Sequence, residues 1–159
     1  MKTVFFGAMR WLAAGLVAVF LWSLCAAAPL SSADPDAVWQ AVTGAADLTH
    51  MQEGSNAMIR RLYGIDPSDY EACYLYYPAS NMDADELLLV KLTDPAQSEA
   101  LAQAAQARLA TQKASFDGYG VAQYDLLTHH AAVEPAGNYF LLAVTANDAA
   151  VLAAFHSAL

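Results

Sequence analysis

Cysteine is scarce in this chain of 159 residues, and the scarcity limits how the fold can be stabilised. Of the two cysteines, Cys25 lies in an apolar stretch near the start and Cys73 lies in the body of the chain. A single cysteine after residue 33 cannot form an internal disulfide, which excludes a disulfide scaffold for that part. The roughly 126 residues that follow are numerous enough to bury a core without covalent cross-links.

Positive charge is also scarce. All 16 acidic residues follow residue 33, together with only five of the seven Lys and Arg residues, so residues 34–159 carry a net charge of −11. Such a charge repels nucleic acid and anionic lipid headgroups. No nucleic-acid partner is therefore expected, and we interpret the acidity as a feature that keeps the domain in solution.

Recognised catalytic and cofactor motifs are missing. The sequence has no serine-hydrolase, Walker or Rossmann fingerprint and no His-Glu-x-x-His pattern. Its four histidines have no recognised spacing for metal ligands. The sequence therefore assigns no catalytic residue, no metal ligand and no cofactor.

Residues 1–33 have the composition of an export leader. Lys2 and Arg10 precede an uninterrupted apolar run over residues 11–24, and small residues follow it. This order is typical of a secretory signal peptide, although the apolar stretch is long enough to serve as an uncleaved membrane anchor. Both alternatives predict one domain over residues 34–159 that is secreted or anchored by the N-terminal segment, and in contact with the membrane only through that segment.

The end of the leader has several alternatives. Small residues predict cleavage after Ala27 or after Ala33. Lipidation of Cys25 is a third alternative, from which the chain departs because Leu24 stands where a small residue usually precedes the lipidated cysteine.

Capping residues and apolar patterns predict the elements of the domain. Polar caps, prolines at first helical positions and glycines at helix ends bound the helices. Aromatic and aliphatic runs indicate strands. The predicted helices span residues 35–42, 55–63, 95–116 and 147 onward, with a helical turn over 121–127, and the predicted strands span residues 70–77, 86–92 and 139–145.

A sequence pattern that occurs twice in the chain predicts the fold class. The strand over residues 86–92 and the strand over residues 139–145 both lead through Thr and a capping residue into a helix, and each follows a candidate strand and a turn. A strand–strand–helix pattern written twice favours an α+β fold. We therefore expect a mostly antiparallel four-stranded sheet of the ββα-ββα type, with helices packed on one face and short N-terminal helices before it.

Three acids beside the most apolar run are one candidate binding site. Asp83, Asp85 and Glu86 directly precede the run Leu-Leu-Leu-Val. A calcium loop would need more oxygen ligands and a glycine for its turn, and neither is present. The acids therefore either form a site for a ligand or simply keep a loop and a strand end in water.

Tyrosines on the first predicted strand are a second candidate. With side chains alternating between faces, Tyr70, Tyr74 and Tyr76 are predicted to share one face, while Cys73 and Tyr77 share the other. If helices cover only one face, the tyrosine row forms a binding surface. The alternative is a set of half-buried tyrosines at the edge of the core, whose hydroxyl groups contact water.

Several segments, in this order and spacing, resemble the bacterial family called domain of unknown function 4358. They are residues 62–66, 84–86, 90–91, 107–109, 112–113, 116, 137–139 and 148. The resemblance implies a bacterial protein with an export or lipoprotein-type leader and one small domain. It transfers no catalytic residue, because the family carries no established activity.

These observations together favour a non-enzymatic binding or interaction module at the cell envelope. Its expected partner is an envelope or extracellular protein. The alternative is a hydrolase or metal-dependent enzyme that uses the acidic loop from Asp83 to Glu86.

Overall fold

The computed structural model describes residues 29–159, so the predicted leader lies outside the described residues except for its last five. Five helices and five strands make up this part, together with two short 3-10 turns at Pro67–Asp69 and Pro95–Gln97. The elements are α1 (Pro35–Ala45), β1 (Met51–Glu53), α2 (Asn56–Tyr63), β2 (Ala72–Pro78), β3 (Glu86–Lys91), α3 (Ser98–Phe116), α4 (Val121–His129), β4 (Ala131–Ala136), β5 (Tyr139–Val144) and α5 (Asp148–Ala158).

Local sequence signals account for the helix ends. The Ser55 hydroxyl accepts a hydrogen bond from the Met58 backbone N–H at the start of α2, and Gly64 ends that helix with a φ of 68°, which only glycine adopts without strain. Asp94 and Gln97 form the predicted capping box ahead of α3. Two helices continue past their predicted ends, because α1 extends through Gly44 to Ala45 and α4 extends to His129.

The sheet has the strand order β1-β2-β3-β5-β4, and every neighbouring pair is antiparallel. The two central strands pair along their whole length, from Glu86 opposite Val144 to Lys91 opposite Tyr139. The α+β class and the antiparallel sheet are therefore confirmed. The fifth strand, β1, lies outside the predicted strands, and it pairs only with the last three residues of β2.

Helices cover both faces of the sheet, whereas the sequence predicted one covered face. In each strand–helix unit the last strand side chain points away from the helix that follows. Lys91 lies on the face opposite to α3, and Val144 lies on the face opposite to α5. Three residues separate β3 from the 3-10 turn that leads into α3, and three residues separate β5 from α5, so the difference in phase at the two strand ends sends the helices to opposite faces.

The first face carries α2, α3 and α4. Leu88 and Val90 of β3 pack there with Phe140 and Leu142 of β5 and with the inner stripe of α3. Each fully buried leucine contributes about 2 kcal/mol through removal of its apolar surface from water. The stripe on α3 is Leu101, Ala105, Leu109 and Phe116, as its spacing predicts.

The second face carries α1 and α5. Leu87 and Leu89 of β3 pack there with Val38 of α1 and with Val151 and Phe155 of α5. Because β3 is buried on both faces along all six residues, its sequence is a continuous apolar run rather than an alternating one. Within residues 29–159, no helix is both long enough and apolar enough to cross a membrane.

Residues 29–33, called the 29–33 segment below, lie against the start of β5. The Ser31 backbone N–H donates to Asn138 Oδ1 at 2.8 Å, and Asn138 Nδ2 donates back to the Ser31 carbonyl at 3.1 Å. The Ala33 carbonyl accepts from the Tyr139 hydroxyl at 2.6 Å and from Lys91 Nζ at 3.2 Å. The fold therefore includes part of the predicted leader.

Candidate functional site

A cleft of about 480 Å³ lies between α3 and the loop that follows β2. One wall comes from the second half of α3, and the other comes from β1, the end of β2 and the loop over residues 79–83. Hydroxyl, amide and aromatic groups predominate among the lining residues. They are Gln52, Tyr77, Pro78, Ala79, Ser80, Asn81, Asp83, Arg108, Gln112, Ser115, Phe116 and Tyr119.

Two of the lining residues hold a buried carboxylate directly behind the cleft. Glu86 is 0% exposed at the start of β3, and the Arg108 side chain reaches it from α3 with 15% of its surface exposed. The Arg108 Nη2 donates to Glu86 Oε2 at 2.7 Å, and Nε lies 3.1 and 3.2 Å from the two carboxylate oxygens. This two-pronged geometry is the strongest form of a side-chain ion pair.

Tyr63 and Gln112 complete the set of donors. The Tyr63 hydroxyl, at the end of α2, donates to Glu86 Oε1, and Gln112 Nε2 donates to Glu86 Oε2 at 3.0 Å. Five donor contacts thus reach two oxygens, which provides the compensation that a buried charge needs. We call Tyr63, Glu86, Arg108 and Gln112 the buried network.

Burial and charge set the protonation of the network. Burial raises the pKa of Tyr63 well above its ordinary value, and the negative charge of Glu86 raises it further, so the hydroxyl stays a donor. Burial alone would lower the pKa of Arg108, but the hydrogen bonds and charge of Glu86 outweigh this and raise it. Arg108 therefore remains a cation.

Gln112 has one atom without a partner. Its side chain is 5% exposed, and its Oε1 is buried without a hydrogen bond. Rotating the amide by 180° would bring Oε1 against Glu86 Oε2, so the donor must face the carboxylate. A buried acceptor without a donor costs about 1–3 kcal/mol, which a ligand or a water with a free N–H or O–H would relieve.

The acidic loop does not converge on one point. Asp83 lines the cleft and lies 3.5 Å from His50 Nδ1, whereas Glu86 points into the core. Asp85 is half-buried, and that burial raises its pKa. Among the described residues, no three His, Cys, Asp or Glu side chains come close enough together to hold a metal ion.

Each histidine instead lies near a single carboxylate. The contacts are His50 with Asp83 at 3.5 Å, His129 with Asp125 at 3.8 Å, His130 with Asp148 at 3.2 Å and His156 with Glu134 at 3.0 Å.

The three candidate tyrosines lie on different faces. Tyr74 and Tyr76 share the second face, where both stack on Trp39 of α1 with ring centroids 5.5 Å apart. The Tyr74 hydroxyl donates to Asp36 Oδ1 at 2.5 Å. Tyr70 precedes β2 and packs against the first face, so the predicted row of three is wrong in that member. Helix α1 lies over the other two because helices cover both faces.

Sequence reasoning singled out Glu86 but missed its three partners in the network. One signal was available for Gln112, because it continues the spacing of Leu101, Ala105 and Leu109 on the buried side of α3. A polar side chain on a buried stripe requires a polar partner. The identity of that partner could not be read from the spacing, since 26 residues separate Gln112 from Glu86.

Comparison with known proteins gives one match. A family model described as Domain of unknown function (DUF4358) matches residues 44–145, which include all four members of the buried network. No curated protein and no solved structure matches the chain.

Proposed function

This chain belongs to the family described as Domain of unknown function (DUF4358), and we propose that it is a binding module outside the cytoplasm whose ligand occupies the cleft beside α3. The observation that carries the proposal is the unpartnered, buried Oε1 of Gln112, a residue that lines that cleft. The extracytoplasmic placement is supported by the composition of residues 1–33.

The buried network supports binding rather than acid–base chemistry. Both oxygens of Glu86 accept hydrogen bonds from Arg108 and from neutral donors, which leaves the carboxylate with no free position toward a substrate. The network holds the cleft-lining side chains of Arg108 and Gln112 in place. A wall whose polar groups are already oriented lowers the entropic cost of binding.

The lining of the cleft indicates the chemistry of the ligand. Arg108 is its one Lys or Arg side chain, and that charge is already neutralised by Glu86. Asp83 contributes a carboxylate, and the domain as a whole is strongly acidic. Anions are therefore disfavoured, and a neutral or cationic molecule that is rich in hydrogen-bond donors and able to lie against Tyr77 and Tyr119 fits best.

A titration followed by NMR tests the proposal. The probes are a neutral disaccharide, an acetylated tripeptide amide, a diamine and a dicarboxylate. We expect at least one of the first three to shift the backbone amides of Ser80, Asn81 and Ser115 in a saturable way, and the dicarboxylate to leave them unchanged. Absence of any saturable shift, or a preference for the dicarboxylate, would overturn the proposal.

A matched pair of variants on α3 locates the site. Ser115→Trp places a large side chain in the cleft, whereas Ala114→Trp places the same side chain at the adjacent exposed position outside the lining. We expect the first variant to lose binding and the second to retain it. Equal binding by the two variants would show that the ligand lies elsewhere.

The enzyme alternative predicts a different outcome for the acidic loop. A hydrolase that used this loop would turn over a substrate and lose turnover on Glu86→Gln. Because that substitution also disturbs the buried network, Asp83→Asn provides the second measurement. Turnover that disappears in both variants, while their folding is retained, would replace the binding module by an enzyme.

A further inference from the structure

We propose that residues 31–33 are retained in the mature protein, and that the leader is cut after Ala27 rather than after Ala33. The inference rests on the proposed export of the chain. The pattern of small residues does not distinguish the two cleavage sites. At each site, a small residue occupies both the last and the third-last position before the cut.

Two hydrogen bonds join Ser31 to Asn138. Backbone N–H and carbonyl of Ser31 are both used by the same side-chain amide, at 2.8 and 3.1 Å. The Ser31 hydroxyl also donates to the carbonyl of Leu159 at 2.7 Å. Residue 31 therefore ties the turn between β4 and β5 to the end of α5.

Ala33 supplies one acceptor to two buried groups. Tyr139 is 0% exposed, and burial raises its pKa, so its hydroxyl remains a donor and needs an acceptor. The Ala33 carbonyl provides it at 2.6 Å. Lys91 Nζ uses the same carbonyl at 3.2 Å, in addition to its ion pair with Glu71 at 2.8 Å.

A cut after Ala33 would replace a hydrogen-bond acceptor by a positive charge at this point. It would remove the carbonyl that accepts from Tyr139 and Lys91, and it would put the new α-ammonium of Asp34 close to the Lys91 ammonium. The like charges repel, Tyr139 loses its acceptor, and Lys91 retains only its ion pair with Glu71. Asp34 is also the N-cap of α1, where a positive charge opposes the helix dipole.

A close contact at Gly137 points the same way. A Cβ on this residue would collide with the Pro29 carbonyl oxygen, and the residue has a φ of 61°. The turn between β4 and β5 thus has the shape needed to admit the backbone of residue 29. A chain that began at Asp34 would leave this approach unused.

The decisive experiment determines which residue begins the mature protein. The full chain is produced in a bacterial host, the cells are fractionated, and the intact mass of the product is measured. We expect an extracytoplasmic product that begins at Ala28. A longer exported product, such as one that begins at Cys25, would support the retention of residues 31–33 but would overturn the cut after Ala27. A product that begins at Asp34 would overturn the inference, whereas an uncut chain in the cytoplasm would overturn the proposed export itself.

Two matched variants of the full chain identify the cut. Ala27→Leu and Ala33→Leu each place the same large residue directly before one of the two sites, where a small residue is required. We expect Ala27→Leu to block the cut or move it within residues 25–28, and Ala33→Leu to leave the mature mass changed only by the substitution. Loss of processing in Ala33→Leu alone would contradict the inference.

Stability of the purified mature product gives a readout that is independent of processing. Asn138→Ala removes both bonds to Ser31, and we expect Tm to fall by about 5 °C or more. Asn81→Ala, in the exposed loop after β2, is the control and should change Tm by less than about 2 °C. Equal Tm values for Asn138→Ala and the unmodified protein would show that the 29–33 segment does not contribute to the mature fold.

Discussion

Removing the guanidinium of Arg108 tests the buried network most directly. Arg108→Met keeps most of the aliphatic stem and its packing but withdraws three nitrogen–oxygen contacts of 2.7, 3.1 and 3.2 Å from Glu86. The carboxylate is 0% exposed and cannot recover these contacts from water. Only Tyr63 and Gln112 would still donate to it.

The expected loss in the free energy of unfolding is set by two opposing quantities, the attraction between the two charges and the cost of desolvating them. At about 3 Å and an effective dielectric constant of about 20, the attraction between the two charges is roughly 5 kcal/mol. Desolvation of the two ions costs several kcal/mol, so the intact pair contributes little in net terms. Breaking it leaves one charge buried alone, which costs about 3–5 kcal/mol. Because the Arg108 side chain is 15% exposed, water can partly reach the gap, and we expect about 3 kcal/mol.

Urea unfolding measures this loss. Trp39, the one tryptophan of residues 34–159, stacks on Tyr74 and on Tyr76 on the second face, and its fluorescence reports unfolding from a position away from the network. With a slope of about 1–3 kcal/mol per M urea, a loss of 3 kcal/mol moves the midpoint by about 1–3 M.

A double variant separates charge from packing. Glu86→Gln combined with Arg108→Met removes both charges but keeps an oxygen that accepts from Tyr63 and Gln112, and we expect a free energy of unfolding at least about 1 kcal/mol higher than that of Arg108→Met alone. A single variant Arg108→Met that loses less than about 1 kcal/mol would refute the reasoning, since Glu86 would then have another way to be solvated. The same conclusion would follow if the double variant were as unstable as the single one.

Three further outcomes follow from other parts of the fold. Tyr63→Phe removes one donor from a buried carboxylate and should cost about 2 kcal/mol in urea unfolding, whereas Tyr77→Phe should cost less than about 1 kcal/mol. Burial raises the pKa of Cys73 to about 12, so its reaction with a thiol reagent at pH 8 should be slower than that of the urea-unfolded chain by on the order of a thousand-fold; equal rates would contradict this. The backbone N–H of Ser68 is the main cause that lowers the pKa of Asp66 to about 2. Its contribution to stability is complete above the ordinary value near 3.8 and lost as pH falls to about 2, so the difference in Tm between the protein and Asp66→Asn should close over that window, and an NMR titration midpoint near 3.8 would contradict it.

Most of the fold could be predicted because its signals are local. The start of α3 is encoded within four residues by Asp94, Pro95 and Gln97, and the end of α2 is encoded by Gly64 alone. The continuous apolar run over residues 87–90 identifies β3 as a strand. The second helical layer was missed because it depends on the phase of the last strand residue relative to the turn, which a shift of one residue reverses.

The candidate site could be predicted only in part, because it is assembled from distant positions. Glu86 meets Tyr63, Arg108 and Gln112 across separations of 23, 22 and 26 residues. Periodicity identifies which side of an element is buried, but it does not identify which residue of another element lies opposite. The sequence therefore predicted a polar residue at the start of β3 without predicting that it would be turned inward and paired.

The contacts of the 29–33 segment also set how the domain would carry a mechanical load. Tension applied to the chain before Pro29 reaches the sheet through Asn138 and Tyr139, at the start of β5. That strand is hydrogen-bonded along both edges, to β3 and β4, so the force is shared among many backbone bonds. Glu86 lies five residues from Lys91 along β3, a distance of roughly 17 Å, and its side chain is on the opposite face of the sheet. A pull on the chain at Pro29 would therefore load the second face and leave the walls of the cleft largely unstrained.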